Sequence, residues 1–173
     1  CLLINGLYST STIKTIADNA DDASYLLLYT KQTPLKLGLY ALERMTQIIQ
    51  SSSENAMVYA DHYQLVDGVL KQAPVIDYQQ GSLRDDFDFG SVLLFNSEIF
   101  TLASSILEET VFQYAAFYEM RLMLGNLFQI IHINEFLYTE IETDTRKSGE
   151  KQFDYVNPKN REVQIEMEKV CIK

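Results

Sequence analysis

Cysteine is scarce in this 173-residue chain: Cys1 and Cys171 stand at opposite ends, and neither belongs to a CxxC or Cys/His pattern. That speaks against a disulfide framework and a structural zinc site. It makes a reducing cytoplasm the expected setting, with a peripheral position on the inner face of the membrane left open. Basic residues are also in deficit. Lys and Arg number 14 against 24 Asp and Glu, a formal charge of −10, so there is no basic excess with which to displace counterions from a nucleic acid. A pocket with a few local donors stays compatible with a small anion. No apolar run reaches the about 18–20 residues of a membrane-spanning helix, and no basic region precedes an apolar signal segment. Internal repeats, low-complexity tracts and a Gly-rich phosphate loop are lacking, which leaves a nucleotidyltransferase without its expected signature.

What is present is core. Hydrophobic residues make up 47% and aromatics 12%, enough for one domain to bury roughly two thirds of its unfolded surface. The opening Cys-Leu-Leu-Ile reads as a short buried strand and leads us to expect a further strand ahead of it. After the Asn5-Gly6 turn, Ile13, Ile16, Ala17 and Ala20 recur at helical spacing, with Ser9, Thr10 or Ser11 as N-cap. Tyr25–Tyr29 (YLLLY) is apolar throughout, as a strand covered on both faces should be. Thr33-Pro34 predicts a helix start, with Leu35, Leu39, Leu42, Met45 and Ile49 as its buried stripe. Ala56–Ala60 predicts a third strand ending at Asp61-His62, and two apolar runs flank Asp67-Gly68, a hairpin signal. A long loop follows over 73–90, then a strand over Ser91–Phe95, a helix over Ser97–Leu107 and a longer helix over Glu108–Leu124 closed by Gly125. Phe128–Ile133 and Phe136–Ile141 predict two strands. A polar linker over 142–157 leads to a C-terminal helix over 158–171, with Val163, Met167, Val170 and Cys171 on one face. Strands alternating with helices, then hairpins, predict a layered α/β domain over 1–173 whose sheet is parallel at first and mixed afterwards.

Several polar groups invite chemistry. Asp61-His62 closes the third strand at the edge where open α/β sheets bind ligands. The pair suits a divalent metal or a hydroxyl, although neighbours on an ideal strand point to opposite faces; a strand-end cap explains Asp61 as simply. The stretch GSLRDDFDFGSVLLF sets Arg84, Asp85, Asp86 and Asp88 in the long loop, and loops this long are more often functional than idle. There, Asp85 or Asp86 can act as general base for an acceptor hydroxyl while Arg84 grips a phosphate. Alternatively, Arg84 pins the loop to an aspartate and Asp88 caps a turn before Phe89-Gly90. Asn5, Ser9 and Thr10 lie where free backbone N–H groups favour an anion, or else form an ordinary helix cap. His132, in an apolar strand, reads as a packed core histidine. Tyr114, Phe117 and Tyr118 read as mostly core, and Glu162, Glu166 and Glu168 as a solvated helix face.

The order of segments resembles the nucleotide-sugar-binding GT-A fold, family-2 glycosyltransferases in particular, from Cys1 to about Tyr138. LLINGLYSTSTIKTIADNA is similar to that family's second strand, its Asp-Asp-Gly-Ser turn and the helix after it. YLLLYTKQTPLKLGLYALERM resembles the strand carrying the Asp-x-Asp motif and its helix, and MVYADHYQL the next strand. GSVLLFNSEIF looks like a later strand and helix, YAAFYEMRLMLG like the helix whose start carries the catalytic acid, and IIHINEFLY like the closing strand pair. The acidic signatures depart from the family pattern. The turn Asn5–Thr10 keeps hydroxyls without the two acids, the Asp-x-Asp position reads Tyr29-Thr30-Lys31, and the base position reads Tyr114-Ala115.

The resemblance implies a three-layer sandwich around a mixed, mostly parallel sheet. It also implies transfer of a sugar from a nucleotide-diphosphate donor to a hydroxyl of a glycan or lipid-linked acceptor, in polysaccharide or glycoconjugate synthesis. In that scheme Asn5, Ser9, Thr10, Lys31, Asp61 and Arg84 bind the donor, with Lys31 partly neutralising the diphosphate. Asp85 or Asp86 takes the acceptor proton. Asp61 is the candidate for Mg²⁺ or Mn²⁺, and metal-independent binding is the other expectation, since the Asp-x-Asp acids are missing. A catalytically degenerate GT-A relative, serving binding or assembly, is the alternative.

Overall fold

The computed structural model describes residues 2–4, 6–20, 22–83, 87–107, 111–142 and 159–172. In chain order they form α1 (Thr10–Asp18), β1 (Tyr25–Tyr29), β2 (Leu35–Leu37), α2 (Ala41–Ile49), β3 (Asn55–Val66), β4 (Val69–Ala73), β5 (Val92–Asn96), α3 (Ser97–Leu107), α4 (Ala116–Leu127), β6 (Gln129–Glu142) and α5 (Lys159–Ile172). The sheet runs in the order β1-β5-β3-β6-β2, with β4 folded back on the far half of β3.

Period-2 alternation along the central strands builds the layers. Met57 and Tyr59 of β3 and Leu93 and Phe95 of β5 face a cluster that includes Ile13, Phe100 and Met120 from α1, α3 and α4. Val58, Ala60, Val92 and Leu94 face the other way, onto Ala41, Met45 and Ile49 of α2. Tyr59, Phe95, Phe100 and Met45 are all within 1% of complete burial. Side chains of this kind contribute about 1.5–3 kcal/mol each when taken out of water. Helices therefore cover both faces of a mixed sheet.

The strand directions correct the expectation of a mostly parallel sheet. Among the described residues only β3–β6 is a parallel pair; β1–β5, β3–β5, β3–β4 and β2–β6 are antiparallel. β1 and β3 do run in the same direction, but β5 lies between them. Val92–Phe95 are buried on both faces, and such a strand needs an interior place in the sheet. Leu2–Ile4, expected as a buried strand, form none, and Leu3 is 94% exposed.

Thr33-Pro34 opens no helix. Leu35–Leu37 instead pair with Tyr138–Glu140 at the edge of β6, whose unpaired backbone groups outweigh a local proline signal. Tyr40, at a φ of 59°, then turns the chain into α2, leaving Leu39 exposed. β3 likewise runs through Asp61-His62 to Val66, with register shifts against β6 on either side of Asp61. The two strands expected over 128–141 are one, β6, which takes up the first shift at Asn134-Glu135. Asp67 and Gly68 make the hairpin turn, both at positive φ.

The helix expected from Glu108 begins at Ala116. Phe112 exchanges two hydrogen bonds with Thr10, and the Ala116 N–H donates to Tyr8 O, so tertiary partners satisfy this backbone in place of helical ones. Gly125 lies inside α4, not beyond its end, and a Cβ there would sit 2.6 Å from the Tyr78 ring. Residues 108–110, and the polar linker beyond 142, lie outside the described residues.

Candidate functional site

The register shifts at Asp61 leave it and His62 pointing to opposite faces of the sheet, and a polar cluster has grown on each. On the face covered by α1, α3 and α4, His132 of β6 lies across the parallel register from Tyr59 and stacks on its ring, with centroids 5.0 Å apart and planes 16° from parallel. His132 Nε2 is 3.0 Å from Asp61 Oδ1, and Nδ1 is 2.7 Å from Asp77 Oδ1. Asp61 Oδ1 also accepts the Val75 N–H at 2.9 Å, and the Tyr59 hydroxyl donates to Ile76 O at 2.7 Å. Burial pushes the Tyr59 hydroxyl well above its ordinary pKa, which keeps it a donor. These bonds strap residues 75–77 to the sheet. The Asp61, His132 and Asp77 side chains are 2%, 6% and 89% exposed, so the cluster leads from the core to solvent. Both bonds to Asp61 fall on Oδ1; Oδ2 takes none among the described residues.

The face under α2 carries His62, Ser91, Tyr138, Glu140 and Lys31. His62 stacks on Tyr138, centroids 5.0 Å apart, and its Nε2 lies 3.5 Å from Glu140 Oε1. That is longer than an ordinary hydrogen bond. Lys31 Nζ pairs with the other Glu140 oxygen. Burial alone pushes the Glu140 carboxyl up, but the His62, Lys31 and Ser91 groups around it outweigh that and bring its pKa down to about 2. Tyr138, whose hydroxyl accepts the Ser91 N–H at 2.9 Å, is pushed up by burial to about 12. The connection from β1 to β2 crosses the sheet here, with the Thr30 N–H on Ser91 O and the Ile141 N–H on Pro34 O.

Of the residues singled out from the sequence, Asn5, Arg84, Asp85 and Asp86 lie outside the described residues. Ser9 is the N-cap of α1, its Oγ accepting the Thr12 N–H at 3.2 Å. Thr10 Oγ1 accepts the Phe112 N–H at 3.0 Å and so ties α1 to the start of α4. Lys31 and Asp61 are both engaged, on opposite faces of the sheet. Asp88 Oδ1 accepts the Gly90 N–H at 2.8 Å, the turn cap expected of it.

Glu166 departs from the solvated face assigned to it. Its carboxylate accepts the N–H groups of Gln113, Tyr114 and Ala115 at 2.7–3.1 Å, immediately before α4. His132 is buried as expected, yet it is bonded to two acids. Asp77, in the loop after β4, and Glu140, on β6, carried no local signal: each meets partners remote in the chain. Among the described residues no group of three His, Cys, Asp or Glu side chains forms a metal-binding set, and no helix is long and apolar enough to cross a membrane. No protein-family model matches the chain, and no curated protein is similar to it.

Proposed function

We propose that this chain is a glycosyltransferase-like domain of GT-A type, moving a sugar from a nucleotide-diphosphate donor to a hydroxyl of a glycan or lipid-linked acceptor. The observation that carries the reading is Asp61. It is a buried carboxylate inside β3, and one of its oxygens is held while Oδ2 takes no protein bond among the described residues. β1, which runs in the same direction as β3, ends at Tyr29, and ligands of open α/β sheets collect beyond such strand ends. A long loop follows the hairpin, then an antiparallel strand, two helices and a strand returning parallel to β3, the segment order on which the resemblance rests. In this reading Asp61 Oδ2 meets the donor, directly or through Mg²⁺ or Mn²⁺. Asp85 or Asp86 takes the acceptor proton, and Ser9 and Thr10 serve the frame of α1. Lys31, engaged by Glu140 under α2, has no part in the donor site.

Calorimetric titration with UDP- and GDP-sugars, with and without Mn²⁺, tests this, together with release of nucleotide on adding acceptor. Asp61→Asn should abolish donor binding or its metal dependence. Asp85→Asn with Asp86→Asn should stop transfer and leave binding in place. A second reading, a GT-A-type module without catalysis, is favoured by one fact: both charged candidates within the described residues, Asp61 and Lys31, are engaged in internal bonds. Failure of every nucleotide sugar to bind would remove the transferase reading and leave that module.

A further inference from the structure

We propose that Arg121 is the anchor of a separate, enclosed anion site, taking an oxyanion that presents two oxygens side by side, such as a phosphoryl or carboxylate group. Arg121 projects from α4 and is 3% exposed. Its Cζ lies 4.8 Å from the centroid of the Tyr118 ring and 5.9 Å from that of Tyr78. Rings attract a cation through their faces but supply no acceptor in the guanidinium plane. Nε and Nη2, both buried, have no hydrogen-bond partner among the described residues. Leaving a charged group buried with its donors unmet costs several kcal/mol, so a buried guanidinium calls for an anion.

The two nitrogens without partners share one edge of the planar group, the edge that grips a carboxylate or phosphate. Arg44 shows the same edge at work on the surface, where Nε and Nη2 hold Glu135 Oε1 at 2.9 and 2.6 Å. Arg121 presents that edge inside the molecule. Segment 78–83 packs beside Arg121 through the Tyr78 ring, and it is held by the Tyr118 hydroxyl on Leu83 O at 2.7 Å and by the packing of Tyr78 on Gly125. Gln79, Gln80, Gly81 and Leu83 are exposed, so the stretch beside Arg121 borders solvent. Low-dielectric aromatic walls strengthen the attraction of the guanidinium for an anion that enters. The inference rests on Arg121 alone and holds whether or not the chain transfers sugar.

The test is calorimetric titration and thermal unfolding of the full chain with inorganic phosphate and, separately, with glucuronate, against chloride at matched ionic strength. One of the two oxyanions should bind one to one and raise Tm; which one does so distinguishes a phosphoryl from a carboxylate ligand. Arg121→Met should weaken that binding at least about tenfold. Arg121→Lys, which keeps the charge and loses the planar edge, should weaken it as well. Without ligand, Arg121→Met should be as stable as the parent, because it removes a buried charge and keeps the apolar bulk. Binding unchanged in both variants, or no response to either oxyanion, overturns the proposal. A marked loss of unliganded stability in Arg121→Met overturns it too, because Arg121 would then be a structural cation held by its tyrosines.

Discussion

Replacing Glu140 by Gln tests whether the polar network under α2 stabilises the fold or merely occupies it. The carboxylate is fully buried, between Lys31 and His62, at the point where the β1–β2 connection crosses the sheet. Its pKa is about 2 in the folded chain, against 4.5 for a free carboxylate. At about 1.36 kcal/mol per pH unit, that difference corresponds to roughly 3 kcal/mol of stability at neutral pH. Lys31 is 37% exposed, and screening of its share lowers the expected loss in Glu140→Gln to about 2 kcal/mol, or about 4–8 °C in Tm for a domain of this size.

The pH dependence has a definite sign. The folded state holds the carboxyl proton less tightly than the unfolded state, so the contribution is fully present above 4.5 and is lost as pH falls from there through about 2. Parent and variant should differ at pH 7 and converge across that window. The chain has no Trp, so urea unfolding followed by far-UV circular dichroism is the suitable assay. The reasoning fails if the variant lies within about 0.5 kcal/mol of the parent at neutral pH, a surface-like effect. It fails equally if the gap stays constant as the pH is lowered.

Three further outcomes follow from the same geometry. Gly90 sits at a φ of 72°, and a Cβ there would collide with the Tyr138 hydroxyl; Gly90→Ala should lose about 2–4 kcal/mol in urea unfolding, and a neutral result would refute that packing. Glu166→Gln removes the charge facing three backbone N–H groups and should cost about 1–2 kcal/mol. Faster hydrogen exchange at residues 113–115 is its signature, and unchanged exchange would deny Glu166 the role of cap. His132→Phe keeps the stacking on Tyr59 and removes the bonds to Asp61 and Asp77. It should cost about 2 kcal/mol and expose the Val75 amide to exchange, whereas protection equal to the parent's would mean that residues 75–77 are held by something else.

Much of the framework was legible because its causes are local. Ser97–Leu107 reads as a helix and Asp67-Gly68 as a hairpin turn from spacing and backbone preference, which depend on neighbours a few residues away. The apolar runs over 56–60 and 91–95 announce strands, whereas Tyr25–Tyr29, expected to be covered on both faces, lies at the edge of the sheet with Leu27 38% exposed. The two helix failures share one cause. Leu35–Leu37 carry a helix-start signal but lie beside the open edge of β6, and the helical spacing over Glu108–Leu124 yields α4 only from Ala116, because Phe112–Ala116 bond to Thr10, Glu166 and Tyr8. In both cases a partner remote in the chain supplies hydrogen bonds that outweigh a local preference worth less than 1 kcal/mol or so per residue.

The candidate site divides along the same line. That Asp61 is a polar group at the end of a buried run is a property of the sequence, and so is the acidic balance that argues against nucleic acid. That Asp61 meets His132 follows from the parallel register of β3 and β6, and that Lys31 meets Glu140 on the opposite face follows from the β1–β2 connection crossing the sheet there. Burial of an apolar run depends on composition over a handful of residues, and the chain carries it wherever it goes. Which acid meets which base depends on how remote strands slide against one another, and only closing the sheet around its two cores selects that alignment.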